Sequence, residues 1–193
     1  MDQQFNEQTS LQLIESMINK AKNNFSESGT LYLLWGIVIF VCSLAQFVAI
    51  HFYNYENIRY IWFATWLVVI YQIFFLSKKA KKQKAKTYTA EILKYVWLCF
   101  LACMLTSIFI LSWQKAYSSI TPIILVMYGI PTFLAGVTLQ FKSLVAGGVS
   151  CWLLAIGSVF VPDEFQALFI CAAVLIAWII PGILLRKKFK NQN

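Results

Sequence analysis

The stretch LYLLWGIVIFVCSLAQFVAI, Leu31–Ile50, carries no charged residue over 20 positions. As a helix rising about 1.5 Å per residue it would cover the ~30 Å of a bilayer's hydrocarbon core. Five more charge-free runs follow: Tyr60–Leu76, Tyr95–Trp113, Ala116–Phe141, Ser143–Pro162 and Phe165–Leu185. Lipid offers no water to the backbone, so such runs must be helices or the strands of a closed barrel. Barrel strands alternate apolar and polar over ~10 residues. These runs are continuous and about twice that length, which selects helices. The composition agrees, with 60% hydrophobic and 12% charged residues and a mean hydropathy of +0.67. The expected fold is an all-α membrane protein, a six-transmembrane-helix bundle with an N-terminal cytoplasmic amphipathic helix. In this reading 1–29 form the amphipathic helix and a linker, and 30–186 form the bundle, with spans near 31–50, 58–76, 92–113, 118–141, 143–162 and 165–185. A basic cytoplasmic tail, 187–193, closes the chain.

The basic residues fall in alternate hinges. Lys20 and Lys22 precede the first run; Lys78, Lys79, Lys81, Lys82, Lys84, Lys86 and Lys94 lie between the second and third. Lys142 separates the fourth from the fifth, and Arg186, Lys187, Lys188 and Lys190 follow the sixth. Only Arg59 and Lys115 occupy the other hinges, so 14 of 16 basic residues fall on one side. Retention of lysine and arginine in the cytoplasm then places both termini inside. Six spans satisfy that count and five do not. The formal charge of +8 is therefore topological, and no nucleic-acid fold signal accompanies it.

Ahead of the first run, Thr9 and Gln12 resemble a capping box, and Leu11, Ile14, Ile18, Ala21 and Phe25 recur at 3–4 spacing. That is an amphipathic helix, expected to end at Ser26-Glu27-Ser28-Gly29. Residues 1–30 carry Asp2, Glu7, Glu15 and Glu27 against Lys20 and Lys22, a net of −2. Helices that lie on anionic lipid are usually basic, so this one is expected to meet a basic protein surface. Nearest in sequence is the chain's own loop with Lys78, Lys79, Lys81, Lys82, Lys84 and Lys86. The same lysines could gather anionic lipid at roughly 1 kcal/mol each, or simply hold their loop in the cytoplasm during insertion.

Chemistry is scarce within the runs. Cys42, Cys99, Cys103, Cys151 and Cys171 all lie inside spans and make no disulfide framework. Cys99 and Cys103 share a helix face without further metal ligands nearby. The single histidine, His51, sits at the edge of the first run, and no carboxylate lies deep in any. A zinc protease, a bis-histidine haem and an aspartyl dyad are thereby excluded. No catalytic residue, metal or cofactor is assigned.

The fourth and fifth runs concentrate small and polar residues, which allow close packing in a membrane. Thr132, Gly136 and Gln140 recur every four residues, Gly147, Cys151 and Ser158 line one side of the next run, and the hinge Phe141-Lys142-Ser143 makes the two antiparallel neighbours. Pro131 lacks an N–H for the Met127 carbonyl and is expected to kink the fourth span. Gly129, Pro131, Thr132, Gly136, Ser150 and Trp152 are accordingly the candidate ligand or conformational site. Trp66, Trp152 and Trp178 lie deep enough to be core or pocket wall.

Met127–Gly136 (MYGIPTFLAG), Phe141-Lys142, Gly147-Gly148, Cys151-Trp152 and Trp178–Gly182 (WIIPG) resemble a group of uncharacterised small multi-spanning bacterial inner-membrane proteins. The resemblance implies that membrane and no activity. The expected role is a non-enzymatic membrane component, embedded in the lipid bilayer, that binds a protein partner or a second copy of itself. The alternative is a small-molecule binding or transport component with its site near the kinked fourth span. Six-span chains of this size include substrate-binding subunits of vitamin importers, an architectural analogy only.

Overall fold

The computed structural model describes residues 7–53, 55–82 and 88–190 and is helical throughout, with no strand among them. Helix α1 spans Glu7–Tyr53, and a 3-10 segment, Glu56–Phe63, leads into α2, Ala64–Lys82. Next come α3, Tyr88–Trp113, a 3-10 turn at Tyr117–Ser119, α4, Ile120–Thr138, and α5, Lys142–Ser158. The last rod is α6, Asp163–Val174, continued by a π-helical stretch, Leu175–Ile179, into α7, Ile180–Lys190.

Four segments are long and apolar enough to cross a membrane: Gly29–Tyr53, Glu91–Trp113, Tyr117–Thr138 and Asp163–Lys187. Two shorter apolar helices, Tyr60–Phe75 and Lys142–Ser158, occupy the second and fifth runs. In the second run Tyr60–Phe63 are 3-10 and lead into α2; the fifth is short because Val159–Val161 turn toward Pro162, the residue that precedes α6. The 17 residues of α5 reach about 26 Å, roughly 4 Å less than the hydrocarbon thickness.

The expected helix end at Ser26–Gly29 is corrected: α1 runs through it unbroken for 47 residues, about 70 Å of helix. Glycine commonly closes helices in the left-handed conformation. No glycine among the described residues has positive φ. Gly29 instead admits a neighbour, since a Cβ there would stand 3.1 Å from the Gly182 carbonyl oxygen and 3.2 Å from Arg186 Cγ. From that contact α1 packs antiparallel along the last rod. Gly36 faces Ile179 and Trp178, the Cys171 thiol donates to Phe40 O at 3.7 Å, and the Phe47 and Phe165 rings lie 5.8 Å apart. The pairing ends with His51 Nδ1 3.3 Å from Glu164 Oε2.

Helices α4 and α5 form the second antiparallel pair, as the hinge required. A Cβ on Gly136 would meet Val145 N at 2.5 Å, and one on Gly148 would meet Phe133 N at 2.8 Å. The turn between them is closed by Gln140 at φ 50° with Phe141 N–H donating to Gly136 O at 2.8 Å. The end of α3 repeats the device, with Lys115 at φ 57° and Ala116 N–H donating to Leu111 O at 2.9 Å. Both are Schellman closures carried by residues other than glycine.

The core lies among α4, α5, the last rod and one face of α1, with Leu125, Ala135, Leu144, Cys151, Ala173, Val174 and Trp178 buried. Helices α2 and α3 flank it. Two indole–amide bonds tie α1 to the second run: Trp35 Nε1 donates to Gln72 Oε1 and Trp62 Nε1 to Gln46 Oε1, each at 2.5 Å. Those bonds answer the polar groups of Gln46 and Gln72, which lipid would leave unsatisfied.

Candidate functional site

Around Pro131 the structure brings helices together tightly. Helix α4 continues across Pro131 from Ile120 to Thr138. The hollow left by Gly129 is filled by the Trp152 indole, whose Cδ1 would lie 2.6 Å from a Cβ at that position. The indole N–H donates to Val126 O at 3.2 Å, one residue before the Met127 carbonyl that Pro131 leaves without its usual donor. Ser150 turns back on its own helix, donating to Gly147 O at 2.8 Å, and Gly136 receives the α5 backbone. Gly129, Pro131, Thr132 and Gly136 are buried. Of the six candidates, Gly129 and Trp152 touch directly, Gly136 meets the start of α5, and Thr132 reaches a different helix.

That helix is the last rod. Trp178 Nε1 donates to Thr132 Oγ1 at 2.9 Å, and Thr132 donates to Tyr128 O at 2.7 Å, all within buried surroundings. The Trp178 ring lies 4.8 Å from Tyr128 and 6.0 Å from Trp97; Trp97 in turn meets Tyr32 at 5.9 Å and Phe100 at 5.5 Å. Four helices therefore converge on one aromatic cluster. Its backbone is irregular: Ile180 N–H reaches back five residues to Leu175 O. Two features account for the widened turn. Pro181 has no N–H for Ala177 O and its ring crowds that carbonyl, and α5 approaches so closely that a Cβ on Gly147 would stand 2.7 Å from Ala177 Cα. This irregular stretch lies just before Pro181, where the sequence signal is Pro181-Gly182 following a buried tryptophan. Widened turns of this kind often sit at functional positions.

The end of the bundle where α1 stops and α4 and α6 begin carries the described acidic groups that make polar contacts. Asp163 and Glu164 open α6 and face opposite ways. Ser118 Oγ donates to Asp163 Oδ2 at 3.0 Å, while Gln166 Nε2 donates to Ser118 O at 3.1 Å and to Asp163 Oδ1 at 3.3 Å. Glu164 meets His51, which stacks on Phe47 at 5.3 Å and lies 5.4 Å from Phe165. Between the first turns of α4 and α6 and the end of α5 is a groove of about 310 Å³. In the sequence Asp163 and Glu164 stand between the fifth and sixth runs, and the signal for a site there is Gln166, a polar residue three positions on, which is 5% exposed.

Of the lysine cluster, Lys78, Lys79, Lys81 and Lys82 belong to the last turns of α2, but their side chains, and the whole of Lys84 and Lys86, lie outside the described residues. The stripe Leu11, Ile14, Ile18, Ala21 and Phe25 is helical in backbone, and its side chains likewise lie outside the described set. Cys42, Cys151 and Cys171 are buried, and Cys99 and Cys103 are exposed on α3. Among the described residues no three His, Cys, Asp or Glu side chains gather as metal ligands. No protein family, curated protein or solved structure matches the chain.

Proposed function

We propose that this chain is a multi-pass protein of a bacterial inner membrane with six spans and both termini cytoplasmic, acting as a non-enzymatic component that binds a protein partner through the first half of α1. The two shorter helices fit as spans because a mismatch of about 4 Å costs only fractions of a kcal/mol per Å, which local thinning absorbs. The alternating lysine hinges supply the orientation, and the prevalence of lysine over arginine suits the bacterial assignment.

The observation that carries the partner-binding role is the continuity of α1. Its 47 residues are more than twice the ~20 needed to span a bilayer. Glu7–Ser28 are therefore a helical extension of a membrane span and share its axis. The spacing of Leu11, Ile14, Ile18, Ala21 and Phe25 continues in the same 3–4 register into Tyr32 and Ile39, which are buried in the bundle. An apolar stripe of that length on a net-acidic segment suits a groove with basic borders on another protein. The full chain is purified in mild detergent beside an Ile14→Asp, Ile18→Asp variant. A stoichiometric partner present with the parent and absent from the folded variant supports the role. A partner-free parent, or equal retention by both proteins, refutes it.

A further inference from the structure

We propose that the groove between the first turns of α4 and α6 and the end of α5 binds a primary ammonium group carried on a short apolar body. Its volume, about 310 Å³, is at the lower bound of small-molecule sites. The lining divides into a polar corner, Ser118, Ser119, Asp163 and Gln166, and an apolar wall that includes Pro122 and Val159.

The side-chain donors of Ser118 and Gln166 are committed, and the corner's side-chain acceptors have capacity left. The Gln166 amide nitrogen already serves Ser118 O and Asp163, which leaves the amide oxygen. The Ser118 hydroxyl proton is directed to Asp163. Each Asp163 oxygen accepts one such bond and has capacity for another. Ser119 stands at the N-cap position of α4, where a serine hydroxyl ordinarily accepts from the first turn, yet it makes no side-chain capping bond. Asp163 is the one formal charge on the lining, and among the described residues no lysine or arginine lies within ion-pairing distance of it.

A ligand complementary to this corner is cationic and rich in donors, which describes an ammonium with three N–H groups. An anion would meet the Asp163 carboxylate. A quaternary ammonium has no N–H to offer, and the lining holds no aromatic ring to cage it. The same chemistry is presented by a free alkylamine and by the ethanolamine headgroup of a phospholipid, and the groove's place at the end of the bundle leaves it within reach of both.

The purified full chain in mild detergent is titrated with n-butylammonium chloride, and with tetramethylammonium chloride at equal ionic strength, while thermal unfolding is followed. Mixed vesicles of equimolar phosphatidylethanolamine and phosphatidylcholine are then extracted and the lipid retained by the protein is counted by mass spectrometry. n-Butylammonium is expected to raise the unfolding temperature saturably and tetramethylammonium to leave it unchanged. Asp163→Asn should weaken binding at least five-fold, and Val159→Trp, which fills the groove from an exposed position, should abolish it. Enrichment of phosphatidylethanolamine that Val159→Trp removes identifies the lipid as the source; butylammonium binding without enrichment identifies a free amine. Should Asp163→Asn fail to fold, Val159→Trp and Ser119→Ala carry the test. The proposal is overturned if the two ammonium salts act alike and neither lipid is enriched, or if every folded variant binds as the parent does.

Discussion

Replacing Gly129 by alanine tests whether the seam between α4 and α5 is closed by the Trp152 indole. The new Cβ would stand 2.6 Å from Trp152 Cδ1 and 2.9 Å from Cε2, where unbonded carbons rest at about 3.5–4.0 Å. The ring must withdraw by about 1 Å, which carries its N–H beyond useful reach of Val126 O, now at 3.2 Å. Loss of that bond costs about 1 kcal/mol and forced repacking about 1–3 kcal/mol. Alanine's better helix propensity returns about 1 kcal/mol. The net expectation is a loss of about 2 kcal/mol. In a Trp152→Ala background the clash and the hydrogen bond are both gone, so the same substitution becomes neutral or stabilising by up to about 1 kcal/mol. Equilibrium unfolding of the four proteins in mixed micelles therefore gives a coupling of about 2–3 kcal/mol, the range for residues in direct contact. A coupling below about 0.5 kcal/mol would refute the geometry, because it would mean that the indole is not seated on Gly129.

The continuity of α1 predicts that spin labels at Ser10 and Thr30, in a cysteine-free background, stand about 30 Å apart along one helix with a narrow distribution; a broad or much shorter distribution restores a break at Ser26–Gly29. Lys115→Gly and Gln140→Gly should each stabilise the protein by about 0.5–1 kcal/mol, since both residues hold positive φ, and a loss of stability in either would contradict the Schellman closures. Single cysteines at Ser26, Gln83 and Asn191 should resist an impermeant thiol reagent in intact cells while one at Asn57 reacts, and labelling of the Gln83 variant from outside would sink the six-span topology. Removing the partly exposed pair with His51→Ala or Glu164→Gln should shift stability by less than about 1 kcal/mol, with a thermal scan as the check and a larger effect pointing to the aromatic stack around His51.

Hydrocarbon periodicity carried the helical architecture because the bilayer imposes a length that composition reveals directly. The α4–α5 seam was legible for a related reason: a three-residue hinge leaves antiparallel packing as the short solution, and small residues mark where backbones approach. The partners of individual glycines were not legible. Gly147 and Gly148 are adjacent, and yet the first admits Ala177 of the last rod and the second admits Phe133 of α4. Successive helical positions are rotated by about 100°, so neighbouring glycines serve different helices, and only the assembled bundle shows which.

The same distinction holds at Gly29 and at the two prolines. Local sequence states what a residue permits, and tertiary contact selects among those permissions. Gly29 permits a helix end and also permits close approach; the Gly182 carbonyl at 3.1 Å from its absent Cβ selects the second. Pro131 and Pro181 each deny a hydrogen bond to the carbonyl four residues before them. At Pro131 a neighbouring indole donates into that turn from α5 and α4 continues across the proline. At Pro181 the turn is pressed by Gly147 on one side and anchored by Trp178 to Thr132 on the other, and the backbone widens over Leu175–Ile179. Two prolines with the same local chemistry thus have different outcomes, because α5 offers a tryptophan donor to one and a glycine surface to the other.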